Sequence, residues 1–115
     1  MQLPFAPLAA LVLTAASLQT AFASSTPAAM TVHVNINNYA FEAPSITIAP
    51  GTTVIFKNLD DDPHTVTADD GSFDSKGLGQ GDTWSYRFTA PGTYAYHCKV
   101  HPMMKGTVVV KESGS

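Results

Sequence analysis

The sequence predicts an all-β protein, an antiparallel sandwich, and three observations carry that expectation. Short segments that alternate apolar and polar residues recur along the chain, separated by turn residues. Two proline–glycine turn signals, Ala49-Pro50-Gly51 and Ala90-Pro91-Gly92, punctuate it, since proline presets its own φ and glycine tolerates a positive one. No window of useful length carries helical periodicity with caps.

The elements follow in order. Thr31–Ile36 alternates cleanly, which sends Val32, Val34 and Ile36 inward and leaves His33 and Asn35 facing water. Ser45–Ile48 is a second short strand with Ile46 and Ile48 on one face. Thr52–Leu59 follows the first turn, with Val54 and Phe56 as its core pair. Thr83–Phe88 sets Trp84, Tyr86 and Phe88 against Thr83, Ser85 and Arg87. In the strand Thr93–Cys98, the period of two puts Tyr94, Tyr96 and Cys98 on one inward face and turns His97 the other way. Tyr94, just past a turn, stands where a tyrosine corner bonds its hydroxyl back to the backbone. The run Gly77-Leu78-Gly79-Gln80-Gly81 has no phosphate-loop lysine after it and reads as a flexible loop.

The chain has 115 residues, one cysteine and a net charge of −3. One cysteine excludes an internal disulfide, and no basic run suggests nucleic acid. Leu8–Leu18 is an apolar stretch of signal-peptide length, followed by the Ala21-Phe22-Ala23 box. Residues 1–23 are therefore expected to be a signal peptide cleaved after Ala23, 24–29 a flexible arm and 30–112 the folded domain, exported to the periplasm. An uncleaved anchor is the rival, but Pro4, Pro7 and the polar Thr14, Ser17, Gln19 and Thr20 suit a membrane span of roughly 20 apolar residues poorly. No serine stands in a nucleophile elbow, and the chain is not expected to be an enzyme.

The chemistry concentrates in Tyr96-His97-Cys98-Lys99-Val100-His101-Pro102-Met103-Met104, with His64 far upstream after a proline. Taken singly, each residue has an ordinary reading: a buried cysteine, surface histidines, core methionines. Together, His64, Cys98 and His101 make a trigonal set with Met104 as a weak axial donor, the ligand pattern of a blue-copper electron-transfer centre. Zinc on Cys98, His64 and His101 is the competing assignment, and it has little use for a thioether. His97 reads as a surface histidine, with a minor alternative as an electron entry point beside Cys98. Met103 is expected to face solvent. Asp60, Asp61 and Asp62, with Asp69, Asp70 and Asp74, read either as a solvated acidic face or as a field that steers a basic partner.

The segment Gly92–Lys111 resembles the copper-binding end of the plastocyanin/azurin family of cupredoxins, and the two residues between His101 and Met104 match the amicyanin spacing. The resemblance continues through Ala49–Val54 and Pro63–Val66. It implies an eight-stranded Greek-key sandwich, one copper ion cycling between Cu(I) and Cu(II), and a monomeric, diffusible one-electron carrier with no stable membrane insertion. Its partners would be redox proteins, with a donor such as a dehydrogenase and an acceptor such as a c-type cytochrome. Copper trafficking or buffering with the same ligands is the alternative. One departure stands out: where many family members carry asparagine after the upstream histidine, tying the two ligand loops together, this chain has Thr65, expected to donate through its shorter hydroxyl.

Overall fold

The computed structural model describes residues 30–112; the leader 1–23 and the arm 24–29 lie outside the described residues. Seven strands are present: β1 Thr31–Ile36, β2 Ser45–Ile48, β3 Thr52–Asn58, β4 Thr67–Ala68, β5 Thr83–Phe88, β6 Gly92–His97 and β7 Lys105–Val110. They form a three-stranded sheet in the order β1-β3-β5 and a four-stranded sheet in the order β2-β7-β6-β4. No helix occurs among the described residues, so the all-β expectation holds.

Two details differ from the expectation. Both sheets are mixed, because β1 pairs β3 and β2 pairs β7 in parallel. The chain leaves the first sheet after β1, runs through the second as β2 and returns as β3, so β1 and β3 travel the same way. Among the described residues the strand count is seven rather than eight. Between β1 and β2 only an isolated bridge, Ile36 to Phe41, forms, and β4 is two residues long.

Alternation places the core as expected. Val34, Ile36, Val54 and Phe56 of the first sheet face Tyr96, Val108 and Val110 of the second, all buried. Pro50-Gly51 forms the β2–β3 turn: Thr52 N–H donates to Ala49 O at 3.2 Å, with Gly51 at φ 94°, as a type II turn requires. Tyr94 is a tyrosine corner, its hydroxyl donating to Ala90 O at 2.6 Å. The glycine run 77–81 is tied rather than loose. Leu78 and His64 exchange backbone bonds, and Gly81 N–H donates to Asn58 O at 2.7 Å.

Tyr96 is the central side chain of this packing. Its ring meets Phe41 and Phe56 edge-on, at centroid separations of 4.8 and 5.5 Å, and lies flat over Gly106, its cross-strand partner. A Cβ on Gly106 would stand 2.2 Å from Tyr96 Cζ. Gly106→Ala is therefore expected to lower stability by about 1–3 kcal/mol or more through overpacking, read as a drop in denaturant midpoint. The buried Tyr96 hydroxyl has no hydrogen-bond partner, and burial alone raises its pKa well above the ordinary phenol value. Tyr96→Phe should consequently cost nothing and gain up to about 1 kcal/mol, because a desolvated, unpaired group is removed; a clear loss in the same melt would contradict the packing described.

Candidate metal centre

The end of the sandwich where β6 stops and β7 starts collects the candidate ligands. His97 and Lys105 are cross-strand partners, so the seven residues between them, 98–104, are confined to a tight loop. Cys98 N–H donates to Met104 O at 3.1 Å, and Met104 N–H donates to His101 O at 2.8 Å. These two bonds close the loop at its base and form a turn with Pro102 at its first inner position, where proline is favoured. Cys98 and Met104 are buried, His101 is half-buried, and Met103 is 78% exposed.

His64 comes from the β3–β4 connection. It lies outside the strands, at an isolated bridge to Leu78. Its ring is fully buried. His64 Nδ1 lies 3.7 Å from Cys98 Sγ, and His101 Nδ1 lies 3.9 Å from the same sulfur. The three donor atoms all lie within 4.8 Å of one another.

That triangle fits a metal ion. Bonds of about 2.0–2.1 Å to nitrogen and 2.3 Å to thiolate, splayed trigonally, separate sulfur from nitrogen by about 3.8 Å. Among the described residues no carboxylate joins the group. The remaining candidate on the loop is the thioether of Met104, which suits copper and not zinc.

A surrounding layer of hydrogen bonds, largely unforeseen from sequence, sets these donors. Asp60 Oδ2 accepts from His64 Nε2 at 2.8 Å, so the proton sits on Nε2 and Nδ1 turns its lone pair toward the sulfur; carboxylate–histidine–metal pairs of this kind fix the ring and raise its basicity. Asp60 also accepts from the backbone of Asn38 at 2.8 Å and Tyr39 at 2.9 Å. Partial burial works against its charge, but the amides and the His64 ring outweigh it and hold the carboxyl below the ordinary carboxylate range. Buried Asn58, at the end of β3, shapes this stretch by donating to Asp62 O and Leu78 O and accepting from Asp60 N. The only sequence signal for Asp60 was its position four residues before His64, inside a run that reads naturally as a solvated face.

Thr65 joins the two ligand loops, but not in the expected way. Its backbone N–H points at Cys98 Sγ at 3.4 Å, and its hydroxyl accepts from Lys99 N–H at 2.9 Å. The hydroxyl then donates to Thr67 Oγ1 at 2.8 Å, which donates to Asp74 Oδ1 at 3.1 Å. Asp74 Oδ2 accepts from Lys99 Nζ at 2.8 Å. A closed circuit thus leaves Lys99 through its amide and returns through its own side chain. His97 points away from the triangle and pairs with Asp69 at 2.6 Å, half-buried rather than fully exposed. The acidic residues are therefore mostly engaged. Asp60, Asp62, Asp69, Asp70 and Asp74 each bond a neighbour, and Asp61 is exposed.

Comparison with known proteins agrees with this geometry. The cupredoxin-like domain family matches residues 7–110. Amicyanin-alpha of Methylorubrum extorquens is 40% identical over 83 residues, covering 68% of this chain and 70% of that protein. Amicyanin of Paracoccus denitrificans is 32% identical over 95 residues, covering 78% and 72%. A solved structure of a reduced amicyanin variant superposes with a TM-score of 0.67 at 31% identity, covering 70% of this chain and 82% of that one.

The circuit through Asp74 has a pH signature. Lys99 first, then the Lys76 amide and Thr67, hold the Asp74 carboxyl at about 2 against an ordinary 3.8. The folded-state value is depressed, so its contribution to stability is complete above the unfolded value and is lost as the pH falls through the folded one. Wild type should exceed Asp74→Asn in urea midpoint above pH 3.8, and the two should converge as the pH is lowered toward 2. A gap that is constant over that window would mean that the charge on Asp74 does not contribute.

Proposed function

The chain belongs to the cupredoxin-like domain family, and on that premise we propose that it is a type 1 copper protein serving as a diffusible one-electron carrier. The observation that carries the reading is the triangle of His64, Cys98 and His101 around one point, with the buried thioether of Met104 at the end of the same loop. His64, Cys98 and His101 would hold the ion, with Met104 as a weaker fourth donor. Bound there, copper supplies a one-electron Cu(I)/Cu(II) couple.

The protein's part is to hold these donors still through a change of charge. The Asp60 carboxylate keeps His64 in one tautomer and one orientation. The Thr65 amide offers the Cys98 thiolate a partner, which stabilises negative charge on sulfur and so tunes the potential. The loop closure at Met104 and the Lys99 circuit keep Cys98 and His101 from separating. Complete burial of Cys98 and His64 excludes bulk water from the donors. The same burial favours retention of the ion over ready surrender, which speaks for a carrier and against trafficking or buffering.

The half-buried His101, beside the exposed Met103 and Val100, is the proposed site of contact with partners: a donor such as a dehydrogenase, an acceptor such as a c-type cytochrome. We further propose that residues 1–23 are removed on export and that the folded domain, residues 30–112, works in the periplasm as a monomer. Among the described residues no helix is long and apolar enough to cross a membrane.

The visible spectrum of the oxidised, copper-loaded protein tests the reading. An intense thiolate-to-copper charge-transfer band, bleached reversibly by reductant, is expected, and Cys98→Ser should abolish it because a hydroxyl cannot supply that transition. Persistence of the band in Cys98→Ser would overturn the assignment, and rapid loss of copper to a weak chelator would favour buffering. Of the two methionines, Met104→Leu should move the spectrum and the midpoint potential and Met103→Ala neither; the reverse pattern would place the axial donor one residue earlier.

A further inference from the structure

One aromatic residue at the metal-binding end belongs neither to the ligand set nor to the core. Tyr39 lies between β1 and β2 and is 48% exposed. Its ring meets both histidine rings edge-on, with centroids 5.3 Å from His64 and 5.1 Å from His101. The two histidine rings are themselves 5.0 Å apart. The three rings form a near-equilateral triangle in which His64 is sealed, His101 half-buried and Tyr39 the member that faces solvent.

This placement is held against the ordinary preferences of the chain. Tyr39 has φ 58° and follows Asn38 at φ 56°, a left-handed region that bulky residues rarely adopt and that persists where the surroundings impose it. Asp60 accepts both of their amides, and Asp62 accepts the Tyr39 hydroxyl. Two acidic residues just before His64 are thereby committed to fixing one exposed ring over the histidine pair.

Resting on the carrier reading above, we propose that Tyr39 is a positioning and coupling residue for electron exchange: its ring is the outward contact through which the His64–His101 pair meets a redox partner. Electronic coupling falls steeply across each gap between molecules, and a ring packed edge-on against both histidines extends the contact outward from the otherwise sealed His64. The electron passes between the site and the partner's redox group through the filled orbitals of the ring. Tyr39 is neither oxidised nor deprotonated, so no proton moves and no further reactant is needed. Partners reach the site over Tyr39 and His101 together, a wider footprint than one histidine edge.

Two measurements on Tyr39→Leu and Tyr39→Phe test this. In the metal-free protein, NMR should show the ring-proton resonances of His64 and His101 displaced in Tyr39→Leu, which loses the ring current, and nearly unmoved in Tyr39→Phe. In the copper-loaded protein, the electron self-exchange rate should fall at least about tenfold in Tyr39→Leu, equivalent to roughly 1.4 kcal/mol of barrier, and stay within about a factor of two in Tyr39→Phe. Self-exchange has no driving force, so a shift in potential cannot imitate the effect. Unmoved histidine resonances in Tyr39→Leu, or an unchanged self-exchange rate with the charge-transfer band intact, would overturn the proposal alone. Absence of that band from the wild type would overturn the copper reading and this proposal with it.

Discussion

Two hydrogen bonds from one residue hold the site to the fold. Thr65 presents its amide to the sulfur of Cys98 and its hydroxyl to the amide of Lys99, and so aligns a connection that follows β3 with a loop that precedes β7. The candidate ligands come from stretches more than thirty residues apart in sequence. Neither stretch alone brings a nitrogen and a sulfur to a common point. The alignment decides whether the buried His64 and Cys98 face each other and His101 with a use or are left desolvated without one, a difference of about 1–3 kcal/mol for each unpaired group. Strand pairing brings the two stretches near each other, because β4 lies beside β6 with Thr67 opposite His97. Thr65 converts that proximity into a fixed register.

Around this pair of bonds the fold departs repeatedly from its own local preferences. Asn58 and His64 are fully buried polar side chains, and Asn38 and Tyr39 are left-handed without being glycine. All four belong to one connected set, joined through Asp60: Asn58 accepts its amide, and its carboxylate receives Asn38, Tyr39 and His64. Strain of this kind persists only where the surroundings over-determine it, and it gathers at working sites. The opposite end of the sandwich, with its type II turn and its tyrosine corner, follows ordinary rules.

Much of this was legible in the sequence. β1, β2 and β5 fall within the expected limits, and the alternation of Trp84, Tyr86 and Phe88 or of Tyr94, Tyr96 and Cys98 names the inward face correctly, because a period of two is a property of the backbone. The grouping of His64, Cys98 and His101 was legible for a related reason: cysteine, histidine and methionine are rare enough that their close spacing carries information. What escaped was the layer behind it. Aspartate and threonine are common surface residues, and nothing in the run Asp60-Asp61-Asp62 distinguishes the member that bonds His64 from the one that faces water. Parallel pairing of β1 with β3 also escaped, since alternation says which face is buried and not which strand lies alongside. Thr65 was identified as a link, but its hydroxyl proved to be the acceptor because the Lys99 amide was the group left without a partner.

The loop between Cys98 and Met104 is fastened almost wholly through its main chain. Its closing bonds join the Cys98 amide to the Met104 carbonyl and the Met104 amide to the His101 carbonyl, and Lys99 meets Thr65 through its amide. Val100, Pro102 and Met103 are exposed, and none of their side chains takes part in these bonds. In evolutionary terms the loop separates two kinds of change. Replacements at Val100 and Met103 can alter the outward face while the anchors beneath are untouched, so single substitutions can reshape the surface a lineage presents without passing through a form that has lost the placement of His64, Cys98 and His101.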